Sequence, residues 1–251
     1  PAATRLADQI WLSRNIGDFN VVITDVTAGE GVLAIMGPSS RKLLQMVSPN
    51  SFDNDVNPFG TAQEIEIGMG LARVHRVTYV GELGWEVYVS SDQAGHIFDT
   101  LFDAGQDLDM KLCGMHMMDS LRIEKGFRHF GHDITCEDHV LEAGLGFAVK
   151  TSKPDFIGRD AVLRKKENGL DRRLLQFVLN DSEPLLYHNE PILRDGELVG
   201  HLTSGNYGHT IGAAIGLGYV PCKDETVSDI LASNYEIDVA GSKIRADVGI
   251  K

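Results

Sequence analysis

Excess positive charge is what this chain most lacks. Its 251 residues carry 23 Lys and Arg against 36 Asp and Glu, a formal net charge of −13. Nucleic acids and anionic membranes are held by neutralising phosphates with surplus Lys and Arg, so neither is expected as a partner. Cysteine is also scarce: Cys113, Cys136 and Cys222 are odd in number, far apart and without CxxC spacing. This argues against a disulfide framework or zinc knuckle, fits a reducing compartment, and makes each Cys an expected small buried residue. Long apolar runs are missing too. Residues 32–36 and 213–220 are too short or too broken by glycine to cross a bilayer, and no basic-then-apolar leader opens the chain. The expectation is a soluble protein of the cytoplasm, or of the mitochondrial matrix in a eukaryote.

What is present is a 43% hydrophobic, 24% charged composition, enough to bury a core in more than one module. Residues 1–15 have the spacing of a helix. Residues 21–26 and 32–36 read as strands around a Gly-containing turn, and Gly37-Pro38-Ser39-Ser40 opens a helix through Val47. The free N–H groups of that turn suit either an anion or helix capping. Residues 64–67 and 71–79 alternate as a hairpin, and residues 91–102 and 114–126 read as helices. Residues 141–150 alternate again, and 159–168 form a basic helix. Beyond Gly169, short runs at 174–179, 192–193, 198–202, 213–220 and 235–239 are divided by Gly-bearing turns, the pattern of a small antiparallel barrel. The expected fold class is α+β. The expected division is 1–50 as one α+β module, 51–169 as a second, and 170–251 as the barrel.

The stretch with the clearest chemistry is VTYVGELGWEVYV at residues 77–89. Two β-rich runs flank the loop Gly81-Glu82-Leu83-Gly84, so Glu86 is expected to return on a strand beside Tyr79. A carboxylate beside an aromatic ring can hold a flat heterocycle that offers two N–H groups. Residues 128–139, RHFGHDITCEDH, offer His129, His132 and Asp133 as conceivable metal ligands, but without HExxH spacing they read as loop histidines and solvated acids.

At YVGELGWEVYV the sequence resembles the tetrahydrofolate-binding family of the glycine-cleavage T-protein. Three more segments agree in order: DVTAGEGVLAIMGPSSRKLL, MDSLRIEKGFRHFGHDIT followed by LEAGLGFAVK, and LVGHLTSGNYGHTIGAAIGLGYVP. SLRIEKGFRHFG, LEAGL and KPDFIGRDAV are similar to the folate-binding portion of dimethylglycine and sarcosine dehydrogenases. The resemblance implies a three-part disc with ferredoxin-like α/β modules and a terminal barrel. It also implies tetrahydrofolate as cofactor and transfer of a one-carbon unit from a methylamine-derived donor.

Carried onto this chain, the family's pterin-binding glutamate is Glu86 and its folate-side tyrosine is Tyr79. Asp119 matches the aspartate of an Arg-Asp pair whose arginine is here Met118, which lacks the planar fork of donors. Arg122, Lys125, Arg172 and Arg173 are candidate contacts for the folate glutamate tail. No strand-GxGxxG-helix is present, so FAD is expected only on another domain or a partner flavoprotein. The family's catalytic aspartate matches no position here and would precede Pro1, which leaves the catalytic residue unassigned and points to a piece of a longer polypeptide. The alternative is a non-catalytic folate-binding or scaffold module that docks a flavoprotein.

Overall fold

A computed structural model describes residues 2–250. The chain divides into two compact units, one reaching to Cys113 and one beginning at Gly114. In the first, helix α1 (Arg5–Asn15) is followed by strand β1 (Glu30–Met36), helix α2 (Ser40–Val47) and strands β2 (Ala62–Ile67), β3 (Gly70–His75) and β4 (Gly84–Ser90), then helix α3 (Ala94–Gly105). The four strands form one antiparallel sheet in the order β1-β4-β3-β2. Strand period sends Ile65, Ile67, Ala72, Val74, Trp85, Val87 and Val89 to one face, where Leu43, Leu44, Phe52, Ile97 and Leu101 complete the core. The indole of Trp85 is fully buried and donates its N–H to Asn57, which satisfies a donor that burial would otherwise strand.

Two local expectations change here. Residues 21–26 form no strand, and Val22 is 90% exposed. β1 is already the sheet's edge, and these residues add no ladder to it. The strand expected over 71–79 stops at His75, where the chain turns and the Val77 N–H bonds the His75 carbonyl. β1 also shares its sheet with β2 to β4, so one sheet spans the boundary expected at residue 50.

The second unit holds helices α4 (Met115–Glu124) and α5 (Arg159–Asn168) and strands β5 (Arg172–Leu179), β6 (Pro191–Arg194), β7 (Glu197–Gly208) and β8 (Ala213–Pro221). Helix α6 (Val227–Ala232) and strands β9 (Tyr235–Val239) and β10 (Ser242–Gly249) follow. Strands β5 to β10 close as a six-stranded antiparallel barrel in the order β10-β5-β8-β7-β6-β9. Leu175, Phe177, Ile192, Leu202, Tyr235 and Ile237 are among the side chains that fill it. Outside the barrel wall, Ile123 of α4 packs with Leu174, Ile215, Leu217 and Tyr219. Ser120 donates to the Tyr207 carbonyl at 2.6 Å, and Gln176 donates to the Ile123 carbonyl at 2.6 Å, which bolts α4 to β7 and β5.

The barrel is as expected; the closing strand β10 and the capped helix α6 were not. The alternation over 141–150 does not make a strand: Gly144 has φ +71°, outside pleated geometry, and residues 146–148 form a 3₁₀ turn. The compact division falls at Cys113/Gly114 and keeps residues 114–169 with the barrel. Cys222 is buried, as expected, and its burial pushes the thiol up. Cys113 and Cys136 are exposed, because neither lies on a core-facing position. Among the described residues no helix is long and apolar enough to cross a membrane.

A buried carboxylate ties the loop before the barrel to its wall. Glu142 is bonded by Lys165 at 2.5 Å and by Arg172 at 3.1 Å. Burial pushes its carboxyl up, but the two cations outweigh that and hold it below the ordinary value of 4.5. A depressed folded-state value stabilises the protein above the ordinary carboxylate range, and that contribution is lost as pH falls through and below it. Glu142→Gln should therefore lower Tm at pH 7 and flatten the loss of Tm between pH 5 and about pH 3. Calorimetric melting at several pH values checks this, and an unchanged acid limb contradicts it.

Candidate functional site

In the first unit, the sheet face opposite the core carries the polar side chains. Glu86 pairs across the sheet with His75 on β3 and Ala34 on β1, and Tyr88 pairs with Arg73 and Val32. Glu86 and Tyr88 are two apart on one strand and therefore share that face. The Tyr88 hydroxyl donates to Glu86 Oε2 at 2.7 Å. Among the described residues it is the carboxylate's only hydrogen-bond partner, so Oε1 and part of Oε2 stay available for further donors. The Tyr88 ring lies 4.5 Å from the His75 imidazole, and the Arg73 guanidinium sits 5.3 Å over it. Arg73 is held in turn by Glu30 at 3.1 Å. The bond to Glu86, with burial adding, pushes the Tyr88 phenol up to about 12, so its proton stays in place at neutral pH. His75 Nε2 is buried with no hydrogen-bond partner among the described residues.

Tyr79 is not Glu86's cross-strand neighbour, contrary to the expected pairing. It is half-buried in the bend after β3, and the cross-strand place beside Glu86 belongs to His75. The physical reason is the early end of β3: the pleat stops four residues before Tyr79. The bend leads past a cavity of about 200 Å³ lined by Phe59, Arg76, Thr78 and the Gly81–Gly84 loop.

In the second unit, a cleft of about 270 Å³ opens between α4, the 185–188 segment and β7, with Asp119, His116, His129 and Asn206 in its lining. Its floor is a buried ionic network. The Arg122 guanidinium, 2% exposed, donates to Asp119 at 2.6 Å, Asp133 at 2.6 Å, Ser204 at 2.8 Å and the Phe127 carbonyl at 3.1 Å. Asp133 is fully buried and also accepts from Thr203 at 2.6 Å and the His129 N–H at 2.8 Å. β7 comes close to the 185–187 segment at Gly205, where a Cβ would meet Leu186 and the Tyr187 nitrogen at 2.7 Å.

This arrangement removes two sequence readings. Arg122 is a buried structural cation, not a spot for an anionic tail, because it is 2% exposed and already paired with two carboxylates, Asp119 and Asp133. Asp133 is fully buried against the Arg122 guanidinium and accepts from Thr203 and the His129 N–H as well, so its charge is already compensated within the protein. His129 and His132 stack at 4.4 Å, and burial, with the His132 and Arg122 fields adding, holds His129 below the ordinary imidazole value.

Asp119 bonds Arg122, accepts a long 3.4 Å contact from Asn206, and keeps 37% of its side chain exposed in the cleft. Arg173 is elsewhere in the unit. On β5 it has the parity of Leu175 and Phe177, which face the barrel interior, and it is not among the residues lining the Asp119 cleft. Its Nε is buried without a hydrogen bond among the described residues. Arg172, of opposite parity, is bound to Glu142 and Asp138 and lies 4.5 Å over the Tyr219 ring. Lys125 is exposed.

Sequence reasoning missed Tyr88 and His75. The alternation Glu86-Val87-Tyr88 was signal enough for Tyr88, whereas His75 needed the register of β3 against β4.

An antiparallel sheet module backed by helices, joined in one chain to a helix-buttressed six-stranded barrel, defines an α+β protein of two units. The structure of aminomethyltransferase T of the glycine cleavage system from Bartonella henselae shares this fold, with TM-score 0.81 and 24% identity over 99% of this chain and 66% of that one. The GCVT N-terminal domain family matches residues 1–153, and the glycine cleavage T-protein C-terminal barrel domain family matches residues 172–251. The chain belongs to the glycine cleavage T-protein family.

Two curated relatives are larger proteins. The chain is 39% identical over 249 residues to 4-methylaminobutanoate oxidase (formaldehyde-forming) of Paenarthrobacter nicotinovorans, covering 99% of this chain and 30% of that protein. It is 34% identical over 242 residues to mitochondrial dimethylglycine dehydrogenase of Homo sapiens, covering 93% and 28%. The chain thus spans less than a third of the length of either relative.

Proposed function

We propose that this chain is the tetrahydrofolate-dependent one-carbon-transfer portion of a protein like dimethylglycine or sarcosine dehydrogenase, and that it forms methylenetetrahydrofolate. The observation that carries this reading is the Glu86 carboxylate. It stands half-buried on the sheet face opposite the core, held by one hydrogen bond among the described residues and with acceptor capacity to spare, in a chain of the T-protein family. A pterin presents adjacent N–H donors much as a guanidinium does, and a carboxylate can take both in a charge-assisted pair. The donor set fits such a group. Glu86 supplies acceptors, the Tyr88 and His75 rings lie beside it, and His75 Nε2 is a buried polar atom with no hydrogen-bond partner among the described residues.

When bound, reduced folate supplies the amine nitrogens that accept the one-carbon unit. Glu86 binds and orients the pterin edge, and Tyr79, in the bend after β3, packs beside the ligand. Asp119 presents its exposed oxygen to the cleft over the Arg122 floor. Arg173, on the barrel-interior side of β5, is not carried into this reading. The methylamine would be oxidised by a flavin domain or partner that carries FAD, and this portion would capture the product.

The direct test is calorimetric titration of the chain with 5-formyltetrahydrofolate, a stable reduced folate. A saturable one-to-one isotherm is expected, and absence of saturable heat overturns the reading.

A further inference from the structure

We propose that Tyr88 is a positioning residue for ligand capture: its hydroxyl fixes the rotamer of Glu86, and His75 and Arg73 clamp its ring so that the carboxylate is set before a ligand arrives. This deepens the reading above and rests on it.

The argument starts from side-chain freedom. A glutamate on a strand face has three rotatable bonds, and ordering a long side chain on binding costs affinity. Here that ordering is done in advance. The hydroxyl donates to Oε2 at 2.7 Å from two residues along the same strand, a reach the pleat fixes. The hydroxyl can hold Glu86 only if the ring is itself held, and it has two close neighbours from β3. His75 lies 4.5 Å away at 35°, and the Arg73 guanidinium lies 5.3 Å from the ring centroid. Arg73 is fixed by Glu30 on β1, so the chain Glu30–Arg73–Tyr88–Glu86 links three neighbouring strands.

The bond also selects which oxygen sites remain. A carboxylate has about four lone-pair positions, and the phenol takes one on Oε2. Both oxygens keep a free position, which is what a pair of adjacent N–H donors needs. The raised phenol supports the assignment, since a Tyr that keeps its proton stays a donor throughout the neutral range. A Phe at this position would keep the stacking and lose only the tether.

Tyr88→Phe separates the tether from the ring. Calorimetry with 5-formyltetrahydrofolate should show about tenfold weaker binding, the size of one hydrogen bond to a charged group, with Tm unchanged within 2 °C. Affinity for p-aminobenzoylglutamate, which lacks the pterin, should be the same in both proteins. A general loss of structure would weaken both ligands and move Tm, and that outcome overturns the positioning role. A second readout needs no ligand. In ¹³C-tyrosine spectra the Tyr88 signal should titrate at lower pH in Glu86→Gln than in the wild type, since the bond to the Glu86 carboxylate is the first cause of its raised value, and an unchanged titration would show that the tether is not made. If the wild type binds 5-formyltetrahydrofolate and Tyr88→Phe binds it equally well, the inference fails and the folate reading stands. If the wild type does not bind, the folate reading itself has failed.

Discussion

Glu86→Ala should reduce affinity for 5-formyltetrahydrofolate by roughly 1,000-fold while leaving the fold intact. Two charge-assisted hydrogen bonds to one carboxylate are each worth about 1.5–3 kcal/mol, and every 1.4 kcal/mol is a factor of ten. Stability should barely change. Glu86 lies on the sheet face away from the core, its one hydrogen bond is to Tyr88, and losing it frees a half-buried phenol that can find water. Surface changes of this kind stay within about 0.5–1 kcal/mol. Glu86→Gln discriminates further, because the amide keeps the shape but replaces one acceptor with a donor that faces the pterin's own N–H groups. Calorimetry on the three proteins checks the series, and equal affinity in Glu86→Ala would remove the assigned anchor.

The largest effect on stability is expected in the second unit. Asp133→Ala leaves the Arg122 guanidinium with the part-exposed Asp119 as its one remaining carboxylate among the described residues and strands the His129 N–H, while the Thr203 hydroxyl keeps the Leu217 carbonyl. Breaking a buried ion pair from one side costs about 3–5 kcal/mol, which for a chain of this size lowers Tm by roughly 10 °C. The damage should reach the cleft as well, because Arg122 also holds Asp119 and Ser204 on its two walls. Arg122→Met combined with Asp133→Leu provides the counter-test. Removing both charges and filling the space should restore most of the lost Tm, since the cost lies in the uncompensated charge and not in the missing bond. A double variant as unstable as Asp133→Ala would refute that account.

The barrel was legible because successive apolar runs are divided by Gly-bearing turns, and that signal is local. The helix at 159–168 was equally plain, with Gly158 and Gly169 at its two ends. Residues 21–26 misled for a related reason. Their composition suits a strand, but a strand needs a partner, and sequence composition does not say whether one is free. The reading of 141–150 failed because alternation marks a strand only where φ and ψ can follow it, and Gly144 does not.

Within the site, the position of Glu86 on a strand followed from residues 84–90 themselves. Its neighbours did not, because the register that places His75 beside it depends on where β3 ends and how it pairs with β4, which the motif's own residues do not state. Arg122 shows the same division. The sequence supplies a cation in a charged helix, and any such residue looks available to a ligand. Only folding brings Asp133, Ser204 and the Phe127 carbonyl around it and buries it among them.

The chain by itself determined its fold class, its barrel and the strand that carries the carboxylate, because each is written in residues close together. Tertiary structure alone decided which polar groups are already satisfied and which still have a bond to offer. That depends on desolvation and on partners tens of residues away, so it is settled only when distant segments meet.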